Sequence, residues 1–112
     1  FDVAWVDAAG DDPVRRIRDY KGRVPIVHLK DYYGEKGEEY YALIALDDHG
    51  EPPSPKGYEY RPLGQGIVDI PAIVKAAEES GAEWFVVEQD NATAGMTPLE
   101  CAEASIKYLK SL

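Results

Sequence analysis

The feature that most constrains this chain is a repeated alternation of two kinds of segment. A short, nearly continuous apolar run is followed by a stretch that opens on a helix cap and closes on a glycine. Val24–Lys30 and Trp84–Glu88 are runs of the first kind, and Phe1–Val6 reads as another with Asp2 inside it. Asp12-Pro13, Asp69 with Pro71, and Thr97-Pro98-Leu99-Glu100 open the helical segments. A capping side chain accepts from first-turn amides that have no helical partner, and proline loses nothing where no N–H is needed. Gly22 and Gly81 stand where helices stop, suited to a left-handed cap. Strands without polar alternation are buried on both faces, and strands separated by helices pair in parallel. The pattern predicts three parallel β/α units, with helices from Asp12 to about Tyr20, from Asp69 to about Ser80 and from Thr97 to about Ser111. Val14 and Ile17 face inward on the first helix. Leu99, Ala102, Ile106 and Leu109 form the expected apolar stripe of the last.

Three strands make little sheet by themselves, whereas a closed β/α barrel takes eight strands and about 250 residues. Residues 1–112 therefore read as one partial barrel domain, α/β in class. The chain opens at Phe1 without Met, which fits truncation or processing. Asp31 to Leu63 is too long for a simple connection. It predicts a hairpin-like insertion at about 32–60. Within it, Tyr40–Leu46 is a strand or short helix, Asp47-Asp48-His49-Gly50 a turn, and Tyr58–Arg61 a second short strand.

Charge excludes some functions. With 21 acidic against 12 basic residues the formal charge is −9, so there is no basic footprint for nucleic acid and no attraction to an acidic membrane. The excess suits a soluble protein that binds a neutral sugar or a cation. The single cysteine, Cys101, rules out an internal disulfide and favours a cytoplasmic location. It reads as buried and inert, near the apolar stripe of the last helix. No apolar run approaches the about 20 residues of a membrane helix.

In a β/α barrel the active site lies where strands give way to loops. Asp2, His28 and Glu88 stand in or at the ends of the three expected strands. Two carboxylates and an imidazole are a reasonable ligand set for Mn²⁺, Co²⁺ or Mg²⁺. Each has a plainer reading alone: a hydrogen-bonded core histidine, a solvated strand end, an exposed terminus. Their recurrence on successive strands is what favours a common mouth. Gly64-Gln65-Gly66 lacks the third glycine of a dinucleotide fingerprint and reads as a tight turn, or as backbone N–H groups near a phosphate. Lys30 and Asp31 either pair at the mouth or are solvated. Tyr32, Tyr33, Tyr40, Tyr41, Tyr58 and Tyr60 read as packing over the mouth rather than as a sugar-stacking surface.

Val27-His28-Leu29-Lys30-Asp31 resembles the His-x-Lys-Asp strand end of the xylose-isomerase-like sugar phosphate isomerase/epimerase family. Pro62 to Ile70 resembles its Pro-x-Gly-x-Gly-x-x-Asp segment, Val86 to Asp90 its last strand, and Phe1 to Trp5 its Leu-Asp-x-x-Trp strand. The resemblance implies a TIM barrel, of which these would be strands six to eight. It implies Asp2, His28 and Glu88 as metal ligands, with a fourth ligand, a Glu, on a strand before Phe1. Glu88 would also carry protons in a metal-assisted transfer beside a carbonyl, through an enediolate. Arg61, Trp5 and Lys30 fall at or near substrate-contacting positions, although Trp5 stands where ketose epimerases often place a His. The implied partner is a sugar or sugar phosphate. The chain alone is expected to be inactive, and to form a homo-oligomer or pair with an N-terminal part. A purely associative fragment and an inosose-dehydratase-like lyase are the rival readings. A phosphodiesterase, as in DNA-repair endonucleases with this barrel, fits the acidic charge poorly.

Overall fold

The computed structural model describes residues 1–34 and 58–112. The expectations for Tyr40–Leu46, for the turn at His49 and for Tyr40 and Tyr41 lie outside these residues. In chain order the elements are α1 (Val3–Ala8), α2 (Pro13–Asp19), β1 (Ile26–Leu29), β2 (Asp31–Tyr33), β3 (Glu59–Arg61), α3 (Ile70–Glu79), β4 (Trp84–Val87) and α4 (Pro98–Leu109).

The predicted caps form. Asp12 accepts from the amides of Val14 and Arg15, and Asp69 from that of Ala72. Thr97 and Glu100 close a reciprocal capping box at the start of α4. Gly22 and Gly81 adopt φ of 77° and 88° beyond α2 and α3, the left-handed conformation that glycine takes without penalty.

β1 and β4 pair in parallel, with Ile26 opposite Trp84 and His28 opposite Val86. Asp2 makes a parallel bridge to His28. The three expected β/α units therefore lie side by side in chain order, but the first strand is reduced to that bridge. Residues 3–8, expected as strand, are helix. A short apolar run does not distinguish the two states, and the cap decides: Asp2 Oδ1 accepts from the Trp5 amide at 3.1 Å.

α2 and α3 pack together. Val27 and Leu29 point into a cluster with Val3, Ile17, Leu63, Ile70, Ile73, Ala76 and Ala77. Side chains alternate along a strand, so Ile26 and His28 face the other way. Ile26 is 44% exposed, so β1 is not buried on both faces as expected. β4 is more open still, with Trp84 at 65%, and its second edge carries no strand among the described residues. The stripe expected on α4 is also corrected. Its buried residues are Cys101 and Ser105, while Leu99 and Ile106 are exposed. A backbone contact selects that face, because Ser105 Oγ accepts from the Leu63 amide at 3.1 Å.

β2 and β3 form an antiparallel pair, Asp31 opposite Arg61 and Tyr33 opposite Glu59, where the insertion leaves and rejoins the barrel. Tyr32 is buried, donates to Asp7 on α1 at 2.6 Å, and packs against Tyr58, which meets Tyr60 edge-on. Tyr32, Tyr58 and Tyr60 thus pack, as the sequence suggests, whereas Tyr33 is 56% exposed and does not.

Asp31 organises the loop before α3. Its Oδ1 accepts from the amides of Tyr32 (2.9 Å) and Val68 (3.1 Å). Its Oδ2 accepts from Gly64 (3.0 Å) and Gly66 (2.9 Å). A Cβ at Gly66 would collide with that carboxylate and with the Tyr32 carbonyl. Gly64-Gln65-Gly66 forms a turn, the Gln65 amide donating to the Pro62 carbonyl at 3.0 Å, and the alternative of amides offered to a phosphate is not met, because the Gly64 and Gly66 amides are committed to Asp31. Burial pushes the Asp31 carboxyl up, against the downward pull of the four amides.

Candidate metal centre

Asp2, His28 and Glu88 converge at the C-terminal ends of the parallel elements. One donor atom from each lies within 4.8 Å of the others. Donors that share one divalent cation at about 2.0–2.6 Å span separations of this order. The local structure fixes each residue. Asp2 spends Oδ1 on the cap of α1 and keeps Oδ2 turned to the site. His28 Nδ1 donates to Glu88 Oε2 at 2.7 Å. The Glu88 amide in turn donates to the Leu29 carbonyl at 3.0 Å and prolongs the strand pairing by one residue. His28 and Glu88 side chains are 40% and 37% exposed, open enough for a ligand to reach.

Lys30 closes the floor of the site. It is only 2% exposed. Its Nζ lies 3.1 Å from Asp90 Oδ2, 3.4 Å from Glu88 Oε1 and 3.6 Å from Asp2 Oδ2. The rings of Trp5 and Tyr60 stand 5.3 and 5.7 Å from the ammonium, within cation–π range. Burial alone would lower the Lys30 pKa, but Asp90, Asp2 and Glu88 outweigh it and raise it. Burial likewise pushes Asp90 up, yet the Tyr60 hydroxyl and Lys30 hold it below the usual carboxylate range. Burial and the neighbouring Asp90 together drive the Tyr60 hydroxyl far up.

Lys30 and Asp31, expected either to pair with one another or to be solvated, do neither, because neighbours on a strand point to opposite sides. Arg61, on β3, is held by Glu59 and lies with its guanidinium 5.8 Å from the Tyr33 ring. Its buried Nε has no acceptor among the described residues. Asp90 and Tyr60 were missed as site residues by sequence reasoning. The spacing of Asp90 two residues after Glu88 was the available signal, since i and i+2 share a side of an extended chain.

Does this donor set suit a divalent cation? The three carboxylates and one ammonium leave two formal negative charges in a half-buried bowl, and the oxygen and imidazole donors match Mn²⁺, Co²⁺ or Mg²⁺. The residues fit. Fold and site together define a β/α-barrel protein with a candidate divalent-cation centre at its strand ends. A family model for the xylose isomerase-like TIM barrel matches residues 1–112, and the chain belongs to that family. Among curated relatives, an inosose dehydratase of Lacticaseibacillus casei is 28% identical over 114 residues, covering 97% of this chain and 36% of the relative. An inosose dehydratase of Clostridium perfringens is 31% identical over 113 residues, covering 98% and 36%. The chain thus spans about a third of the length of these relatives. A crystal structure of a sugar phosphate isomerase/epimerase from Parabacteroides distasonis superposes with a TM-score of 0.64 at 24% identity. The match covers 98% of this chain and 29% of that one, and it shows the shared fold. No helix among the described residues is long and apolar enough to cross a membrane.

Proposed function

We propose that this chain carries three protein ligands of a divalent-cation site that serves proton abstraction next to a carbonyl in a polyhydroxylated substrate. The observation that carries the reading is the convergence of Asp2, His28 and Glu88. A bound cation there would supply Lewis acidity, stabilising negative charge that develops on substrate oxygen. Glu88 is the proton carrier. Its carboxylate reaches the open side of the bowl while His28 fixes one of its oxygens. Trp5, Lys30 and Arg61 are the side chains proposed to border the substrate.

The relatives' names favour dehydration of an inosose-type ketone over epimerisation. In that reaction the C–H bond beside the carbonyl breaks, a hydroxyl leaves the next carbon as water, and a C=C bond forms. Both reactions begin with the same proton transfer, so the site's residues serve either. The chain spans 36% of its inosose dehydratase relatives. We therefore propose that it binds the cation but completes turnover only in a larger assembly, as a homo-oligomer or with a further barrel segment.

Titration calorimetry with Mn²⁺ tests the reading. The unaltered protein is expected to bind one Mn²⁺ per chain, and His28→Ala and Glu88→Ala are each expected to abolish the heat. A folded protein that takes up no Mn²⁺ refutes it.

A further inference from the structure

We infer that Lys30 is a built-in counter-cation of this centre: its ammonium positions Asp2 and Glu88 before a divalent cation arrives, and its fixed charge limits how tightly that cation is held. The inference rests on the metal reading above and concerns a role distinct from contact with substrate. Lys30 has three N–H donors and no acceptor, and three carboxylates surround its Nζ. Asp90 takes a hydrogen bond at 3.1 Å, and Glu88 and Asp2 stand at ion-pair distance. Two of those carboxylates are the proposed ligands Asp2 and Glu88, and each has a single oxygen uncommitted elsewhere. Asp2 Oδ1 caps α1 and Glu88 Oε2 holds His28. The remaining oxygens, Asp2 Oδ2 and Glu88 Oε1, are the ones that face Lys30. The ammonium thus occupies the point from which both ligands take their orientation.

Its surroundings hold it there. The rings of Trp5 and Tyr60 flank the ammonium, and Asp90 supplies a third carboxylate that belongs to no proposed ligand set. Burial to 2% exposure keeps water from screening the charge. Without Lys30, three carboxylates would repel one another in the metal-free protein. With it, an arriving dication meets two net negative charges instead of three, and a fixed positive charge beside it. Even with water-like screening, removing one positive charge at contact range strengthens the hold on a dication about tenfold.

The test is Mn²⁺ titration of metal-stripped wild type, Lys30→Met, Lys30→Gln and Lys30→Arg. Lys30→Met keeps the apolar stem between the two rings, and Lys30→Gln keeps an amide donor towards the carboxylates should the Met variant fail to fold. Both neutral variants are expected to bind Mn²⁺ about tenfold more tightly than wild type, while Lys30→Arg stays within about threefold. In melting experiments the neutral variants should be less stable than wild type without metal and recover at saturating Mn²⁺. A residue that merely packs would give weaker binding in the neutral variants. Equal or weaker Mn²⁺ binding by the folded neutral variants therefore overturns the counter-cation role and leaves the metal reading intact. Absence of Mn²⁺ binding by wild type removes the metal reading and the inference together.

Discussion

Replacing Asp31 with asparagine changes one atom and should cost more stability than any surface substitution in this chain. The carboxylate is fully buried, and each oxygen receives two backbone amides: Tyr32 and Val68 at Oδ1, Gly64 and Gly66 at Oδ2. An asparagine presents one acceptor and one NH₂. In either orientation the NH₂ faces two N–H donors, so one pair of amides loses its acceptor. Each unsatisfied buried N–H costs about 1–3 kcal/mol, which gives about 2–6 kcal/mol for the pair. Relief of the buried charge offsets part of this, because burial opposes ionisation of Asp31. A net loss of about 3 kcal/mol is expected, a large share of the about 5–15 kcal/mol that holds a typical domain together. Urea denaturation followed by Trp5 and Trp84 fluorescence measures it, and at about 1–3 kcal/mol per molar urea the midpoint should fall by at least about 1 M. Hydrogen exchange supplies a second readout, since one amide pair, Gly64 with Gly66 or Tyr32 with Val68, should lose protection. A midpoint within about 0.3 M of wild type, with the slope unchanged, would mean that the carboxylate does not hold this loop.

Other predictions are simpler. Gly66→Ala drives a methyl into the Asp31 carboxylate and the Tyr32 carbonyl; a loss of about 1–3 kcal/mol in the same urea assay is expected, and full tolerance would refute the close approach. The Asp11 carboxyl is held at about 2, below the ordinary 3.8, by the Arg16 guanidinium first and the Asp12 amide second. A depressed folded pKa stabilises above the unfolded value, so this contribution is complete above about 3.8 and fades as pH falls through about 2. A carboxyl NMR titration midpoint near 3.8 would contradict it. The exposed Trp84, Leu99 and Ile106, together with the second edge of β4, which carries no strand among the described residues, predict self-association that light scattering detects; a single monomeric mass at all concentrations would refute it.

Legibility from sequence followed distance along the chain. Caps and stops act within four residues, so α2, α3 and α4 could be placed from Asp12, Asp69 and Thr97 alone. The convergence of Asp2, His28 and Glu88 could be anticipated because parallel β/α units bring strand ends to one mouth. One miss was local: Phe1–Val6 reads as a short apolar run in either state, and the Asp2 cap on the Trp5 amide makes Val3–Ala8 helix. The other misses depend on contacts between remote residues. The buried face of α4 was set by Ser105 meeting Leu63, 42 residues away. The partners of Asp31 lie up to 37 residues off, and Lys30 meets Asp90 across 60. Periodicity carries no information about such pairs, and the α4 stripe shows the result: Leu109 packs against the core as expected, while Leu99 and Ile106 are exposed.

The pairing of Tyr33 with Glu59 makes the chain leave and rejoin the barrel at adjacent points, about 5 Å apart between paired residues. Such a junction insulates the rest of the molecule from what is spliced into it. Each doubling of a spliced segment's length adds only about 0.6 kcal/mol of closure entropy, and the strain of a new sequence ends at the β2–β3 clasp. Lys30 lies one residue before that clasp and Pro62 one residue after it, with Asp31 and Arg61 forming its inner rung. Evolution can therefore rewrite residues 35–57 without moving Asp2, His28 and Glu88.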